Sequence, residues 1–437
     1  MKRTNAFKIV TRSDGDSELL HRLLDASASL WNKITYERRQ RFFANETVWT
    51  ANSYYDEYKG ILGAPTTQQI ERKSDSAWKS FFAVLETDSE SAQPPGYWGN
   101  EEDGRELRTY IRNDKYTLEW GERSRLEIPV GLNPKSEYGL SRNERLRLEV
   151  AGEPKWHGKQ GRLELYYDDT TETFRARQVV TIGETSQKSP MSEKSAALDI
   201  GANNLVAGTV STGEQYLYRG HSVFDEFHEV TEQIGYYSSK LPNQRQSSNR
   251  IDRLYRTRTK RRNHAQDALV RDLVERLYER GISEIYIGDL SGVLSAHWSV
   301  TVNEKTHNFW AFRRFTDRLR SVSEEYGIEV HEESERDTTR ECPSCGEKEQ
   351  TERDGDFFWC PCGYEGHADL DASKQFLEKQ ANSEVGPMAR PVRLEWNNHE
   401  WRSTKDAPSW WTNSKEERTD RSTSHERGNV ASEKTVE

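Results

Sequence analysis

Four cysteines lie within 21 residues of one another, and the chain contains no others. They form the pairs Cys342-x-x-Cys345 and Cys360-x-Cys362. A disulfide-stabilised secreted protein would distribute its cysteines along the chain, so this clustering favours a metal in a reducing compartment. Four thiolates make a closed tetrahedral zinc site of the structural kind, and we expect a zinc ribbon here. Four free core cysteines or a redox pair are weaker alternatives, because the flanking stretches are polar and no thioredoxin-like βαβ pattern surrounds them.

Carboxylates occur at three places that suggest a second metal site. Asp369 follows Cys362 by seven residues, Asp199 lies in the otherwise apolar stretch "SAALDI", and Asp289 ends the apolar stretch "IYIGD". A charge in a buried strand is costly unless it is paired or binds a metal. Mg²⁺ prefers oxygen ligands, and two such ions can stabilise both reacting oxygens of a phosphodiester. Each aspartate alone is more typical of a structural role, so the prediction depends on their order in one fold.

The first half of the chain changes its hydrophobic period. Helical spacing dominates over residues 17–45 and 66–86, whereas short alternating runs occupy residues 105–183. Residues Ala6–Val10 predict a first strand that precedes the helices. We therefore predict a β-barrel domain over residues 1–15 and 100–185, with a helical insertion over residues 16–99.

The second half predicts an α/β domain. Three strands between residues 195 and 218 are followed by a helical region over 222–280, a strand, a helix, a strand and a last helix. This is the order of an RNase H-like fold, which we predict over residues 195–337 and 367–380, with the ribbon inserted at 338–366. In that fold Asp199, Asp289 and Asp369 would converge at one end of the sheet. The polar residues 381–437 lack rhythm and predict a disordered tail.

Charge is unevenly distributed along the chain. The net charge of -10 argues mildly against nucleic acid, but nine basic residues and one acidic residue lie between Lys240 and Arg262. Such a run is often a solvated helix face, yet its density favours binding to a nucleic-acid backbone. For residues 295–315 a nucleic-acid surface and a core of aromatic residues are equally supported. The predicted nucleic-acid contacts are Arg250, Arg253, Arg256, Arg258, Lys260, Arg261 and Arg262.

Composition indicates where the protein resides, whether it folds and what kind of organism makes it. The chain has no run of 18 apolar residues and no apolar stretch suited to a signal peptide, so we expect a cytoplasmic protein without a membrane partner. Aromatic residues make up 11% of the chain, which is enough for folded cores. Arginine outnumbers lysine about two to one in this acidic chain, a balance typical of a halophilic archaeon.

Several stretches together resemble the OrfB/TnpB family of transposon-associated RNA-guided nucleases, which are related to type V CRISPR effectors. The resemblance covers residues 195–377 and implies a RuvC nuclease domain with structural zinc and catalytic magnesium, after a wedge-like barrel with a helical recognition insertion. It also implies a guide RNA and a target DNA as partners, beside a separate transposase encoded by the same element. Asp199 and Asp369 match the first and third catalytic carboxylates. The stretches are "ALDIGANNLVAG", "ISEIYIGDLSGV", "HNFWAFRRFTDRL", "TTRECPSCG" and "FWCPCGYEGHADLDASKQFL".

The second motif departs from the family, because Gly288 occupies the position where a glutamate is usual. Asp289 follows it, but successive strand residues face opposite sides of a sheet, so Asp289 reaches the metal only if the strand ends or bulges there. The first hypothesis is an RNA-guided, Mg²⁺-dependent DNA endonuclease that uses Asp199, Asp289 and Asp369. The second is a nuclease-inactive RNA-guided DNA-binding protein or regulator. The third is a zinc-ribbon DNA-binding accessory of transposition without RNA.

Overall fold

The computed structural model describes residues 1–50, 54–89, 92–99, 105–169, 171–183, 189, 192–201, 203–242, 247–289, 309–334, 340–381, 385–386 and 388–404. The chain divides into two compact units, Met1–Ser186 and Gln187–Glu437. No described helix combines the length and the apolar character that crossing a bilayer requires.

The first unit contains a seven-stranded antiparallel sheet in the order β2-β6-β7-β1-β5-β4-β3. Only residues 112–116 connect the two edge strands β2 and β3. A flat sheet of this size would be about 29 Å wide, whereas that connection spans at most about 21 Å. The sheet must therefore curl, as a barrel does. Its strands are β1 Lys2–Val10, β2 Arg108–Ile111, β3 Thr117–Glu119, β4 Arg125–Ile128, β5 Leu146–Ala151, β6 Lys159–Asp168 and β7 Thr173–Thr181.

Helices lie between β1 and β2 in the chain and pack on this sheet. The first begins after Ser13, whose hydroxyl accepts a hydrogen bond from the Asp16 amide at 3.1 Å. Its buried Ser27 contacts Thr109 of β2 at 2.9 Å. One apolar core thus joins these helices to the sheet. The helices of the unit are α1 Asp14–Phe43, α2 Tyr55–Leu62, α3 Ala64–Thr87 and the short α4 Leu132–Glu137.

The second unit contains a mixed seven-stranded sheet in the order β12-β11-β8-β9-β10-β16-β17. β8, β9 and β10 pair antiparallel, whereas β11 is parallel to β8, and β12 is parallel to β11. This arrangement confirms the predicted RNase H-like fold. The strands are β8 Lys194–Asp199, β9 Asn204–Val210, β10 Gln215–Arg219, β11 Ile282–Gly288, β12 Glu329–Glu333, β16 Val392–Asn397 and β17 Glu400–Ser403.

Helices cover both faces of this sheet. On one face, Leu198 and Ile285 share a core with the long helix α6 and with α7. On the other face, Ala197 packs against Phe376 and Leu377 of the last helix, α8. Because strand residues alternate between faces, Asp199 lies on the α8 face with Ala197. The helices of this unit are α5 His221–Ser238, α6 Asn249–Glu279, α7 Phe312–Tyr326 and α8 Ala368–Ala381.

Between β12 and α8 the chain forms a small ribbon. Its three antiparallel strands are β13 Glu352–Asp354, β14 Phe357–Trp359 and β15 Glu365–His367. α8 begins at the residue after β15, so no loop separates the ribbon from the helix.

The prediction of a disordered tail is wrong for residues 392–403, which form the hairpin of β16 and β17 at the edge of the sheet. Leu394 and Trp401 are buried, and the Trp401 indole donates a hydrogen bond to the Ala265 carbonyl at 3.1 Å. Asn398 and His399 adopt left-handed backbone angles (φ 46° and 72°), which suit a tight turn between two strands. The stabilisation gained by burying these apolar side chains at the sheet edge is enough to order a segment whose overall composition is polar. Residues 405–437 lie outside the described residues.

The predicted helical region over residues 222–280 contains two helices, α5 and α6. α6 begins after Ser248, whose hydroxyl accepts from the Ile251 amide at 3.4 Å. Ser248 therefore marks the start of the second helix in this region.

Candidate metal centre and nuclease site

The structure brings all four cysteines of the ribbon together. Their sulfur atoms all lie within 4.8 Å of one another, with Cys342 and Cys362 at 3.7 Å and Cys345 and Cys360 at 3.6 Å. Four Zn–S bonds of about 2.3 Å in a tetrahedron would place sulfurs about 3.8 Å apart. The thiol geometry therefore fits a tetrahedral metal site.

Two tight turns hold these cysteines, and each closes on the amide of a glycine. Gly346 donates to the Cys342 carbonyl and Gly363 donates to the Cys360 carbonyl, both at 2.9 Å. Both glycines have positive φ angles (75° and 94°), which a side chain would strain. The second pair, although its cysteines are only one residue apart, therefore forms the same kind of glycine-closed turn as the first pair.

The electrostatics of the cluster favour a thiolate at one exposed corner. The pKa of Cys362 is lowered to about 7, first by the Tyr364 backbone amide and then by its neighbouring thiols. A thiolate is the form that binds a metal.

Hydrogen bonds tie the ribbon to the start of α8. The Ala368 amide donates to the Asp356 carbonyl at 2.9 Å, and the Gln375 side chain donates to the Glu341 carbonyl at 2.7 Å. The Tyr364 hydroxyl donates to Asp371 at 2.7 Å. The first two turns of α8 are thus fixed by ribbon residues, and Asp369 lies within them.

Asp369 is buried, and three parts of the fold meet at its carboxylate. Arg353 of β13 lies 2.5 Å from Oδ1, and the Asn204 amide nitrogen of β9 donates to Oδ2 at 2.9 Å. The same nitrogen donates to Asp356 Oδ1, also at 2.9 Å. Among the described residues, the Asn204 amide oxygen has no hydrogen-bond partner, although it is buried. A buried oxygen without a partner, beside two carboxylates, suits a cation or a water as its neighbour.

Sequence reasoning missed Asn204, Arg353 and Asp356 as parts of this site. Asn204 is the first residue of β9, Arg353 lies within β13, and Asp356 lies in the turn between β13 and β14. Their contact with Asp369 depends on how the ribbon folds against the sheet. The only local signal was Asp356, which opens the stretch "DFFWCPCGYEGHADLD".

Asp199 lies at the same end of the sheet as Asp369. It is the last residue of β8 and is half-buried, and its strand is covered by α8. Asn204, which holds Asp369, begins the antiparallel neighbour β9 next to that strand end. The carboxyl end of β8, the amino end of β9 and the first turn of α8 therefore meet.

The second motif places Gly288, and not Asp289, on the face of Asp199. Ile287 is in register with Leu198, so Gly288 continues the register beside Asp199. Asp289 is exposed beyond the strand end, and its amide donates to the Glu333 carbonyl at 2.9 Å. In the described part of the chain, only the four cysteines form a group of three or more ligands within mutual reach of one ion.

A carboxylate not singled out from the sequence lies beside Gly288. Glu333 of β12 is in register with Gly288 and therefore shares its face. The pKa of Tyr286 on that face is raised by burial first, then by Glu284, and also by the charge of Glu333. Glu333 thus adds a negative charge to the α8 side of the sheet.

The seven predicted nucleic-acid contacts all lie on α6. Five are exposed, whereas Arg258 and Arg262 are half-buried. Arg258 donates to the Thr231 hydroxyl at 2.8 Å and lies over the Phe227 ring at 4.5 Å from its centre. The row therefore combines an exposed positive edge with one cation, Arg258, that is fixed against α5.

The second basic and aromatic segment, residues 295–315, is only partly described. Phe309 and Trp310 are buried in the core of the second unit, which supports the core interpretation for these two rings. Trp298, Lys305 and His307 lie outside the described residues.

Comparison with known proteins finds two matching family models and a similar viral protein. The OrfB family, described as a probable transposase, matches residues 177–294, and the Cas12f1-like TNB domain matches residues 312–376. A TnpB-like protein of Acidianus two-tailed virus, ORF457, is 29% identical over 90% of this chain and 89% of its own. These matches show that the chain is similar to the OrfB/TnpB family. The TNB match runs from α7 through the ribbon into α8, so the cysteine cluster lies within the matched domain.

The fold of the chain also resembles a solved structure. A cryo-EM structure of a Cas12f1-sgRNA-target DNA complex matches with a TM-score of 0.58 at 10% identity, covering 83% of this chain and 82% of the other. At that identity the likeness concerns the fold alone.

Proposed function

We propose that this protein is an RNA-guided DNA endonuclease that hydrolyses phosphodiester bonds with divalent metal ions. The observation that supports the proposal is that Asn204, which begins the strand paired with the β8 strand ending at Asp199, binds the buried Asp369. Similarity to the OrfB/TnpB family supports it. The Cas12f1 complex of similar fold contains a guide RNA and target DNA, which supports these partners.

Asp199, Asp369 and a third carboxylate would hold the magnesium ions, which when bound stabilise the attacking and leaving oxygens of the phosphodiester. Asn204 orients Asp369 through Oδ2. Arg353 sets a positive charge against Oδ1, so the site already accepts a cation at that oxygen. Arg353 must withdraw from Oδ1 before that oxygen can bind a metal.

The four cysteines would hold a structural zinc ion. Their sulfur spacing fits a closed tetrahedral site, which leaves no position for chemistry. Its role would be to fix the ribbon strands, and through them the first turns of α8.

The guide RNA or target DNA would lie along the basic row of α6. The row runs from Arg250 to Arg262, about 20 Å of helix, which is long enough to contact several successive phosphates of a nucleic-acid backbone. Binding that depends on such cations weakens steeply with salt.

The test is cleavage of a matched plasmid by the protein purified with the RNA transcribed from its own genetic element. We expect linear product with Mg²⁺, none with EDTA, and none when the plasmid lacks the matched sequence. Failure to cut, with guided binding retained, would reject the endonuclease.

A nuclease-inactive, RNA-guided DNA-binding protein is the second candidate. It is favoured by Gly288, which leaves the Asp199 face of β11 without its usual carboxylate. The same assay separates the two, because this candidate protects the matched DNA from other nucleases without cutting it. DNA binding by protein that carries no RNA would instead indicate an accessory of transposition.

A further inference from the structure

A concave pocket lies where the β16–β17 hairpin meets α5 and α6. Its volume is about 670 Å³, and we call it the hairpin pocket. This size falls within the range of roughly 300–1,000 Å³ that is usual for sites that enclose small molecules. Its walls include Phe227, Arg261, His264, Trp396, Asn398 and His399.

Aromatic rings form one side of the hairpin pocket. The Trp396 ring is 5.6 Å from His264 and 6.4 Å from His399, and these two imidazoles are 5.3 Å apart. Behind Trp396, the buried Trp401 is 5.5 Å away and is anchored to α6 by its hydrogen bond to Ala265. The rings are therefore held in place before any ligand arrives.

Positive charge forms the other side. Four cations of the basic row line the pocket, against one carboxylate, Glu226. The pKa of Arg262 is lowered by burial first, then by the charges of Arg314 and Arg258, which shows how closely positive charges are packed here. An anionic group bound beside them would relieve this repulsion. The four cations are Arg258, Lys260, Arg261 and Arg262.

A ligand that fits this site carries a flat ring and a phosphate together. A base-paired duplex presents its phosphates to exposed cations and needs no aromatic recess, because its bases are already stacked. An unpaired base, in contrast, gains about 1–3 kcal/mol by stacking on an aromatic side chain. The combination of rings, cations and concavity therefore favours a single unpaired nucleotide.

We propose that the hairpin pocket binds one unpaired nucleotide of a nucleic-acid strand, with its base against Trp396 and its phosphate beside Lys260 and Arg261. The proposal rests on the proposed function for the presence of a nucleic acid and adds where an unpaired residue of it binds. The neighbouring groove on α6, lined by Tyr255, Arg256 and Arg314, shares Lys260 and His264 with the pocket, so a strand can continue across the helix.

The experiment measures binding of labelled oligonucleotides to the full chain in Mg²⁺-free buffer, so that cleavage does not enter. Each probe is a stem with one unpaired nucleotide or the same stem fully paired, made as RNA and as DNA. We expect Trp396→Ala to weaken binding of the unpaired probe roughly 5- to 100-fold, and to change binding of the paired probe less than about twofold. If only the RNA probe loses affinity, the pocket binds the RNA strand; if only the DNA probe does, the pocket binds a DNA strand.

Two further variants keep the test valid if Trp396→Ala disturbs the hairpin. Trp396→Phe should restore most of the affinity, because a ring remains for stacking. His399→Asn preserves a residue type that tolerates the left-handed turn and should weaken the unpaired probe alone. Tyr236→Ala, which removes an exposed ring of α5 outside the pocket, is the matched control and should change nothing.

Salt dependence tests the phosphate contact. Arg261→Gln should lower the slope of log affinity against log salt for the unpaired probe by about 1. Equal loss for paired and unpaired probes, or no loss in any pocket variant, overturns the proposal. A protein that binds the unpaired probe through Trp396 but never cuts DNA keeps this inference and rejects only the endonuclease.

Discussion

The cysteine cluster and the proposed carboxylate site of the second unit differ in how complete they are. The four sulfurs of the ribbon already lie within 4.8 Å of one another. The carboxylates come from a strand end, a helix start and separate strands, and Asp369 is bound by Arg353 and Asn204 instead. The cysteine site is assembled by its own local turns. The carboxylate site depends on the sheet, the ribbon and whatever displaces Arg353.

This difference follows from the distance along the chain between the ligands. The cysteines of each pair are joined by one or two residues, so a single turn positions both. Asp199 and Asp369 are separated by 170 positions and meet only if the sheet and α8 are formed. A structural site can be built early and locally, whereas a catalytic site needs the complete fold.

The largest expected effect is loss of the metal from the ribbon. Cys345→Ser should abolish stoichiometric zinc in the purified protein, and DNA cleavage should fall below detection, because Asp369 loses its support. Structural zinc contributes on the order of 10 kcal/mol to the folding of small domains. Zinc analysis and the cleavage assay check this, with Ser344→Ala as the neighbouring control. Cleavage at the normal rate without zinc would show that the ribbon does not position Asp369.

The next largest effect concerns Asp199 and Asp369, the two carboxylates proposed to hold magnesium. Asp199→Asn and Asp369→Asn should each reduce cleavage at least about 10³-fold, because each removes several kcal/mol of metal-based stabilisation of the transition state. Guided DNA binding should stay within about threefold. Asp354→Asn, an exposed ribbon carboxylate, is the control. Normal cleavage by Asp369→Asn would contradict the assignment of the site.

A smaller effect decides which residue supplies the third carboxylate. Glu333→Gln should reduce cleavage roughly 10- to 100-fold, whereas Asp289→Asn should change it less than about twofold, because only Glu333 shares the face of Gly288. Gly288→Glu should rescue Glu333→Gln, since it places a carboxylate next to Asp199. Cleavage rates of the three variants check this. A large loss in Asp289→Asn alone would instead support the carboxylate predicted from the sequence.

The sequence was sufficient where ligands are close together or follow the order of the elements. The cysteine cluster could be predicted from spacing, and the strand and the helix that carry Asp199 and Asp369 could be predicted from the order of the elements. Arg353 and Asn204 could not, because their contact with Asp369 arises only when the ribbon packs on the sheet.

The hairpin at residues 392–403 was missed for a different physical reason. Its apolar residues are few, and the burial of Leu394 and Trp401 depends on an edge strand and on α6, which no local pattern reveals. The alternation of Val392, Leu394 and Trp396 was the available signal, but it is short.

The smallest effect tests whether Arg353 keeps the carboxylate site incomplete. Arg353→Gln removes the positive charge at Asp369 Oδ1 and leaves the ribbon cysteines unchanged. Hydrogen bonds to charged groups are worth about 1.5–3 kcal/mol, and the partial exposure of Arg353 reduces this to about 1 kcal/mol. The Mg²⁺ concentration for half-maximal cleavage should therefore fall about fivefold. Arg340→Gln, another arginine of the ribbon segment, should leave it unchanged. An increase in the Mg²⁺ requirement would mean that Arg353 orients Asp369 for the metal instead of competing with it, and the two sites would then be equally preassembled.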